Sequence, residues 1–555
     1  MKESVKNTGR LYVMKTVVLK YVLGSPVVRV MILPVVLLML VVAYGDITVQ
    51  QILTDIQDET KDPHSSNNQN IKDYVLVALS SYVFGFVSLM IMSSYVETIC
   101  RVYIVDQYRD HISMSFPDFK RLGVGNMISF MNRKVGSLRD VLESIVKYFI
   151  IGMCYITMTM TKIGSELEWY YMALMAAVSV IYGVSAFFVN YYRSIIRPKL
   201  NREVDLSRRK VYNNLMNHDI IKSYNNEEEE ANDLHRSMEM MTKYAKIFWG
   251  SLQVGNFVGE SIFTIAMFAI TMYFTKGDTS RIKSKDYMLM ISLSNQLRIY
   301  CVDISNSFGS ILMNLTNIAQ TRNEEERPDM QDYGCYKDRL ETSIKIADAS
   351  VCVEGKRLVE GLNMEIRMGE KIGITGGNGS GKTSFVRALL GFFDYSGTIV
   401  VDGVELRTLS KKGLRRMISY SPQELQLFDD TVMNNINDGN LKMCREEIVE
   451  CCKMYGVDEM FQSLDKGYDT LVGMGGKRLS GGQKQRVSLM RAVVKDASVY
   501  VFDQVTSHLD KETEMYLVDM IMKNLADKTV IMIMQNANMF EKFDRIYRFL
   551  SPEGH

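Results

Sequence analysis

The segment Gly376-Gly377-Asn378-Gly379-Ser380-Gly381-Lys382-Thr383 concentrates the residue types needed to hold a chain of phosphates. Its glycines let the backbone turn tightly, so that successive N–H groups converge on phosphate oxygens. Lys382 supplies a positive charge for the outer phosphates, Thr383 a hydroxyl for Mg²⁺, and Ser384 continues the cradle. The spacing G-x-x-x-x-G-K-[ST] works only between a strand and a helix. The apolar run Lys371–Thr375 predicts the strand, and Ser384–Leu390 predicts the helix.

Four more motifs follow in order. Ser421-Pro422-Gln423 comes after the strand-like run Met417–Tyr420. Leu479-Ser480-Gly481-Gly482-Gln483 precedes a predicted helix, Lys484–Val494. Ser498–Phe502 is an unbroken apolar strand ending at Asp503, and Thr506-Ser507-His508-Leu509-Asp510 comes next. Each motif alone is a weak signal; five in sequence, each beside a suitable strand or helix, are specific.

The elements that must position these motifs occupy only part of a 555-residue chain, long enough for several domains. A formal net charge of +1 argues against nucleic acid as the main partner. Eight scattered cysteines, none in a C-x-x-C pair, read as buried thiols rather than a zinc site. The first half is apolar in long runs. Residues 74–96 and 169–192 each exceed the ~20 residues needed to cross a bilayer. Further spans are predicted at about 27–45, 142–161, 254–275 and 287–312, the last two weakened by Glu260, Arg298 and Asp303. The reading is an α-helical polytopic membrane domain at 1–320, a charged linker at 321–343, and an α/β phosphate-loop domain at 344–555.

Lysines and arginines crowd the N-terminal tail and segments 97–147 and 193–247, whereas Asp46–Asp73 is dominated by acids. The basic segments, and the C-terminal half with them, therefore face the cytosol or an organelle matrix, and Asp46–Asp73 forms an outer loop. Lys276, Arg281, Lys283 and Lys285 on the opposite side conflict with that bias. The two basic segments, about fifty residues each, read as helical extensions beyond the bilayer. No cleavable signal is visible in residues 1–20.

The motif set resembles the ATP-binding cassette family, and the six spans plus one C-terminal cassette look like a half-transporter of the exporter type. Ile195–Asn201 (IIRPKLN) and Asn217–Glu228 (NHDIIKSYNNEE) resemble the mitochondrial branch of these half-transporters, which exports a glutathione-linked compound needed for iron–sulfur assembly. The resemblance implies ATP and Mg²⁺ as cofactors and a multi-pass protein with its cassette on the cytosolic or matrix side, in a mitochondrial-type inner membrane. It implies a second half-transporter as partner, alongside a small-molecule substrate and the lipid bilayer. Gly376–Ser384 would grip one ATP, while Leu479–Gln483 would cap the nucleotide held by the partner. Thr383, Gln423 and Asp503 would serve Mg²⁺, and Asp510 would communicate across the dimer.

The chain departs from the family pattern around the nucleotide. Gln504 stands where the family has the glutamate that acts as general base, and an amide cannot take a proton. Gln535 stands at the switch-histidine position. Val353 replaces the aromatic that stacks on adenine, and Met474 replaces a glutamate before the family's signature motif, here Leu479–Gln483. With phosphate loop and signature intact, the pattern implies a weakly hydrolysing half of a heterodimer; an active homodimer and a non-transporting nucleotide-gated scaffold are the alternatives. By the same resemblance Arg193, Arg197, Asn256 and Gln296 are substrate candidates, although the two arginines also satisfy the positive-inside rule. Gly259 stands where a glutamine is expected, and Tyr300 lies where a proline is expected.

Overall fold

A computed structural model describes residues 20–21, 26–59, 68–167, 169–276, 284–324, 334–353, 356–506, 511–534 and 541–549. The chain divides into two compact units, one comprising Met1–Met114 and Asp118–Pro328, the other Ser115–Pro117 and Asp329–His555.

The first unit is built from long helices: α1 (Pro26–Glu59), α2 (Asn68–Ile112), α3 (Val124–Glu143), α4 (Ile151–Glu166), α5 (Trp169–Met216), α6 (Glu227–Lys276) and α7 (Ser284–Glu324). A seven-residue π-helical segment, Ser144–Ile150, joins α3 to α4 without a break, so the two form one rod. Among the described residues, five stretches are long and apolar enough to cross a membrane: Leu33–Ile56, Gln69–Ile112, Val124–Glu166, Trp169–Met216 and Glu227–Met272. The sixth long helix, α7, spans 41 residues but does not belong to that apolar group. Its polar and charged positions, among them Asn295, Arg298 and Asp303, dilute it.

The basic segments are helical, as expected: α2, α5 and α6 each carry well over the ~20 residues a bilayer needs. One expectation is overturned. Asp46–Glu59 is not loop but the last part of α1, which leaves only residues 60–67 between α1 and α2, outside the described residues. Acidic residues read as loop when only their own neighbours are considered; here Tyr155, distant in sequence, bonds Asp46 and offsets the cost of burying it.

Apolar faces of the rods form two main cores. One joins α1, α2, α3 and α7 through residues that include Val35, Tyr95, Ile99, Leu138 and Leu142. The other joins α4, α5, α6 and α7 through Ile163, Met175, Tyr182, Phe263 and Leu293. The rod α3–α4 contributes to the first core as far as Val146 in the π-helical segment and Ile151 just after it, and to the second from Ile156 to Ile163.

Among its described residues the second unit has two sheets. One is antiparallel, in the order β2 (Lys356–Arg367), β1 (Ser343–Val353), β4 (Tyr395–Val401), β5 (Val404–Glu405). The other is wholly parallel, in the order β6 (Ile418–Ser421), β7 (Val499–Asp503), β8 (Thr529–Ile533), β3 (Lys371–Gly376), β9 (Arg545–Phe549). A parallel sheet is buried on both faces, which is why β7 and β8 are near-continuous apolar runs, buried throughout. One core packs α8 (Lys382–Leu389) against both sheets through Phe385, Leu389, Ile344 and Ile374. The other holds α9 (Gly481–Val493) and α10 (Lys511–Asn524) through Val487, Met490, Val518 and Ile521. The functional loops therefore leave the C-terminal ends of β3, β6 and β7, where open α/β sheets bind ligands.

Candidate functional site

The phosphate loop runs from the end of β3 into α8. Gly381 is left-handed (φ 83°), and a Cβ there would sit 2.3 Å from the Leu358 carbonyl oxygen. Only glycine fits that position. Lys382 folds over the loop: its Nζ donates to the carbonyls of Gly376 (2.8 Å) and Gly377 (2.7 Å) and to Ser380 Oγ (3.2 Å). Burial lowers the Lys382 pKa, and the Asp503 carboxylate opposes that shift. The ammonium is thus held where backbone carbonyls stand in for part of its hydration shell.

Asp503 ends β7 and is fully buried. Burial raises its pKa; the Thr383 and Tyr420 hydroxyls, with Arg387 and Lys382, pull the other way. Tyr420 donates to Oδ2 at 3.3 Å, while Oδ1 has no hydrogen-bond partner among the described residues. A buried, unsatisfied carboxylate oxygen beside the Thr383 hydroxyl is the environment a hydrated Mg²⁺ would complete. Mg²⁺ keeps several waters and takes few protein ligands alongside phosphate oxygens. No group of three or more His, Cys, Asp or Glu suited to a metal occurs among the described residues, so the donors fit Mg²⁺ held with nucleotide rather than a closed protein cage.

Gln504 has a left-handed backbone (φ 51°), unusual for a residue with a side chain. Its N–H donates to the Ile533 carbonyl at 3.2 Å. Gln423 Nε2 donates to Gln504 Oε1 at 3.0 Å. The two amides close one side of a cleft of about 340 Å³ whose other walls are Leu358 and the loop Asn378–Ser384. The phosphate loop, Gln423 and Gln504 are therefore brought together.

Leu479–Gln483 are not among the residues lining this cleft. Leu479 is buried, but Ser480 and Gly481 are exposed. Ser480 caps α9: its Oγ accepts from Gln483 N–H at 3.3 Å, and Gln483 Oε1 accepts from Ser480 N–H at 2.8 Å. This capping box fixes the turn but leaves the first-turn N–H groups of Gly481 and Gly482 without intrahelical acceptors, a surface that favours anions. Met474 is exposed nearby in the chain. Gln535 and Asp510 lie outside the described residues, as does the side chain of Val353.

Two side chains that the motif pattern does not single out shape the cassette site. Arg491, on α9, donates from Nη1 to the Gln426 carbonyl (2.9 Å) and from Nη2 to Asn435 Oδ1 (2.6 Å). It thereby ties the chain just after Gln423 to the signature helix. Tyr420 is visible in the sequence only as part of an apolar run; its position three residues before Gln423 is the available signal.

In the membrane unit the substrate candidates do not converge. Arg193 is 5 % exposed, donates to Asn190 Oδ1 at 3.3 Å and stacks on Phe248 at 4.6 Å. Arg197 lies 5.2 Å from the same ring and donates to Asn317 Oδ1 at 3.5 Å. Gly259 explains the missing glutamine: a Cβ there would lie 2.2 Å from Tyr182 Cε2, so the tyrosine ring fills that space. Tyr300 stacks on Tyr155 with centroids 3.8 Å apart. Asn256 and Gln296 are half-buried. Glu260 and Arg298 face each other at 3.7 Å. An apolar groove of about 490 Å³ between α4, α5 and α7 is lined by Tyr182, Asn190, Ser305 and Phe308 among others, not by the four candidates.

A helical membrane domain followed by a cassette with this phosphate loop and signature defines an ABC transporter polypeptide, and the comparisons agree. Residues 28–299 match the ABC transporter transmembrane region and residues 359–507 the ABC transporter ATPase model. The chain belongs to this family and is a multi-pass membrane protein. It is similar to the mitochondrial iron-sulfur clusters transporter ABCB7 of Oryzias latipes, 26% identical over 66% of this chain and 50% of the relative. It is also similar to the mitochondrial iron-sulfur clusters transporter atm1 of Neurospora crassa, 27% identical over 73% of this chain and 58% of the relative. The chain thus spans between half and six-tenths of the length of these relatives. Its fold matches a bacterial Atm1-family ABC exporter with ATP bound, with a TM-score of 0.86 at 20% identity over 95% of both chains.

Proposed function

We propose that this chain is an ATP-driven export half-transporter that binds nucleotide firmly and hydrolyses it slowly at its own site, working beside a second half-transporter with a competent site. The observation that carries this reading is the Gln423–Gln504 amide pair at 3.0 Å. A carboxylate there would accept a proton from the attacking water; the Gln504 amide can orient a water but not deprotonate it. The loss of a general base costs ~10²–10⁴ in rate. The grip on nucleotide rests on other groups, namely Lys382, the loop N–H groups and the Mg²⁺-serving Thr383 and Asp503. Bound Mg²⁺ would neutralise phosphate charge. Ser480–Gly482 at the N-terminus of α9 would meet the partner's nucleotide, so an intact signature on this chain serves the partner's chemistry. Nucleotide stabilises the paired cassettes through its differential contacts with that state.

The intact phosphate loop and signature also favour a second reading, an active homodimer. Co-purification of the full chain from native membrane separates the two. A second half-transporter with glutamate at the position of Gln504 is the expected companion; repeated recovery of this chain alone would favour the homodimer. A protein that binds ATP but moves no solute in vesicles would instead be a nucleotide-gated scaffold. The names of the relatives support a cargo linked to iron–sulfur chemistry and a mitochondrial-type inner membrane. A small glutathione-linked compound fits that class, and Arg193 and Arg197 are the residues that would answer to its carboxylates.

A further inference from the structure

We propose that Asp46, with Tyr155, Tyr300 and Gln296, forms a binding site in the membrane domain for a protonated amine carried by the transported molecule; this rests on the transport reading above only for the role of the ligand, not for the site.

Asp46 lies inside Leu33–Ile56, a stretch apolar enough to cross the bilayer. Tyr155 of α4 donates its hydroxyl to Asp46 Oδ2 at 2.6 Å, and no lysine, arginine or histidine pairs with Asp46 among the described residues. The Tyr300 ring of α7 lies nearly parallel to that of Tyr155, 17° between planes. One turn before Tyr300, Gln296 Oε1 is buried with no hydrogen-bond partner among the described residues. A further turn back, Ser292 donates to Gln50 Oε1 at 2.5 Å, which ties α7 to α1 one turn beyond Asp46.

An intramembrane carboxylate without a cation is costly, and such residues mark substrate or ion paths. A single phenol donor leaves the second carboxylate oxygen free to accept. The site thus offers a negative charge, an unfilled amide acceptor and two aromatic rings, and its donors, the two phenols and the Gln296 amide, are neutral. An ammonium is the complement: three N–H donors, positive charge, and affinity for aromatic faces. The arginines that would serve an anion are separate: Arg193 and Arg197 stack on Phe248. The two sets carry opposite charge, so a substrate bearing both an amine and a carboxylate could use both.

The test uses the full chain in lipid nanodiscs and a fluorescent primary amine, dansylcadaverine, against its neutral N-acetyl derivative. The amine should bind about tenfold or more tightly than the derivative, the scale of one hydrogen-bonded charge. Asp46→Asn should abolish that preference and Asp46→Glu should retain it, with affinity for a fluorescent ATP analogue unchanged in both. If Asp46→Asn does not fold, Tyr155→Phe, which frees the carboxylate of its donor, should still alter the preference. Equal affinity for the two probes in the unaltered chain, or a preference that survives Asp46→Asn, overturns the site. A preference that appears as expected but does not respond to Mg-ATP when the co-purified second half-transporter is present leaves the site standing and overturns the transport reading.

Discussion

Replacing Gln504 with glutamate should restore hydrolysis. The two side chains have the same shape, so the packing around the position is unchanged and the native glutamine serves as the control. The 3.0 Å bond from Gln423 Nε2 would be kept, since a carboxylate oxygen accepts as well as an amide oxygen. The left-handed backbone at φ 51° costs on the order of 1–3 kcal/mol in both versions and cancels. What changes is a proton acceptor. The adjacent Asp503 carboxylate would raise the new acid's pKa toward the working pH, where a general base is most effective. The expected gain is ~10²–10⁴ in turnover, or about 2.7–5.4 kcal/mol at roughly 1.36 kcal/mol per decade. The assay is phosphate release from Mg-ATP by the purified chain in lipid, with Lys382→Ala as the background. The reasoning fails if the substitution changes turnover by less than about tenfold while nucleotide affinity is unchanged. It fails equally if the unaltered chain already turns over at about 10 s⁻¹, a median enzyme rate.

Three further outcomes are expected. Lys382→Ala should weaken a fluorescent ATP analogue at least about tenfold, because it removes the charge and the three bonds that shape the loop; unchanged affinity would show that the loop does not bind nucleotide. Asp402 accepts from Lys337 Nζ, from the N–H groups of Glu341, Thr342 and Ser343, and from the Thr342 hydroxyl. Burial alone would raise its pKa, but these donors hold it well below the carboxylate range. Its contribution to stability is therefore full above the ordinary value of ~3.9 and lost as pH falls through the depressed folded value. Asp402→Asn should lower thermal stability at pH 7 by ~5 °C and flatten the acid limb, as read by melting across pH. Gly259→Gln should destabilise the membrane unit by collision with Tyr182, and adding Tyr182→Ala should recover part of the loss in detergent melting; a Gly259→Gln chain as stable as the unaltered one would show that the ring does not fill that space.

The cassette is legible in the sequence because its motifs are local. A phosphate loop needs a strand before it and a helix after it, and Lys371–Gly376 and Lys382–Leu389 are both written within a few residues of the motif. The apolar strand β7 and the capping box at Ser480 are equally local. The membrane helices are legible where apolar runs are long, as in α2 and α5, and illegible where a polar residue is satisfied from afar. Asp46 reads as loop because its partner Tyr155 is 109 positions away. The side-chain arrangement of the substrate candidates is hidden for the same reason: Arg193 is occupied by Phe248, and the gap at Gly259 by Tyr182. Arg491 carries no motif of its own, and only its reach to Gln426 and Asn435 gives it a place.

The seven π-helical residues between Glu143 and Ile151 act as a phase adjuster. An α-helix advances about 100° per residue, so the widened turn rotates everything after it relative to everything before it. Leu138 and Leu142 can then face one set of neighbours while Ile163 faces another. Removing one residue here would let the stretch close into ordinary α-helix. Six residues at about 100° turn the rod nearly as far as seven π-helical ones at about 82°, so Tyr155 would keep its direction toward α1. Removing one from the α-helical turn between Ile151 and Tyr155 would swing it by about 100°. Length changes along this rod are therefore not interchangeable: a single-codon deletion just after the π-helical stretch would disconnect Asp46, while one inside it would be absorbed, although hydropathy and composition would stay almost the same in both.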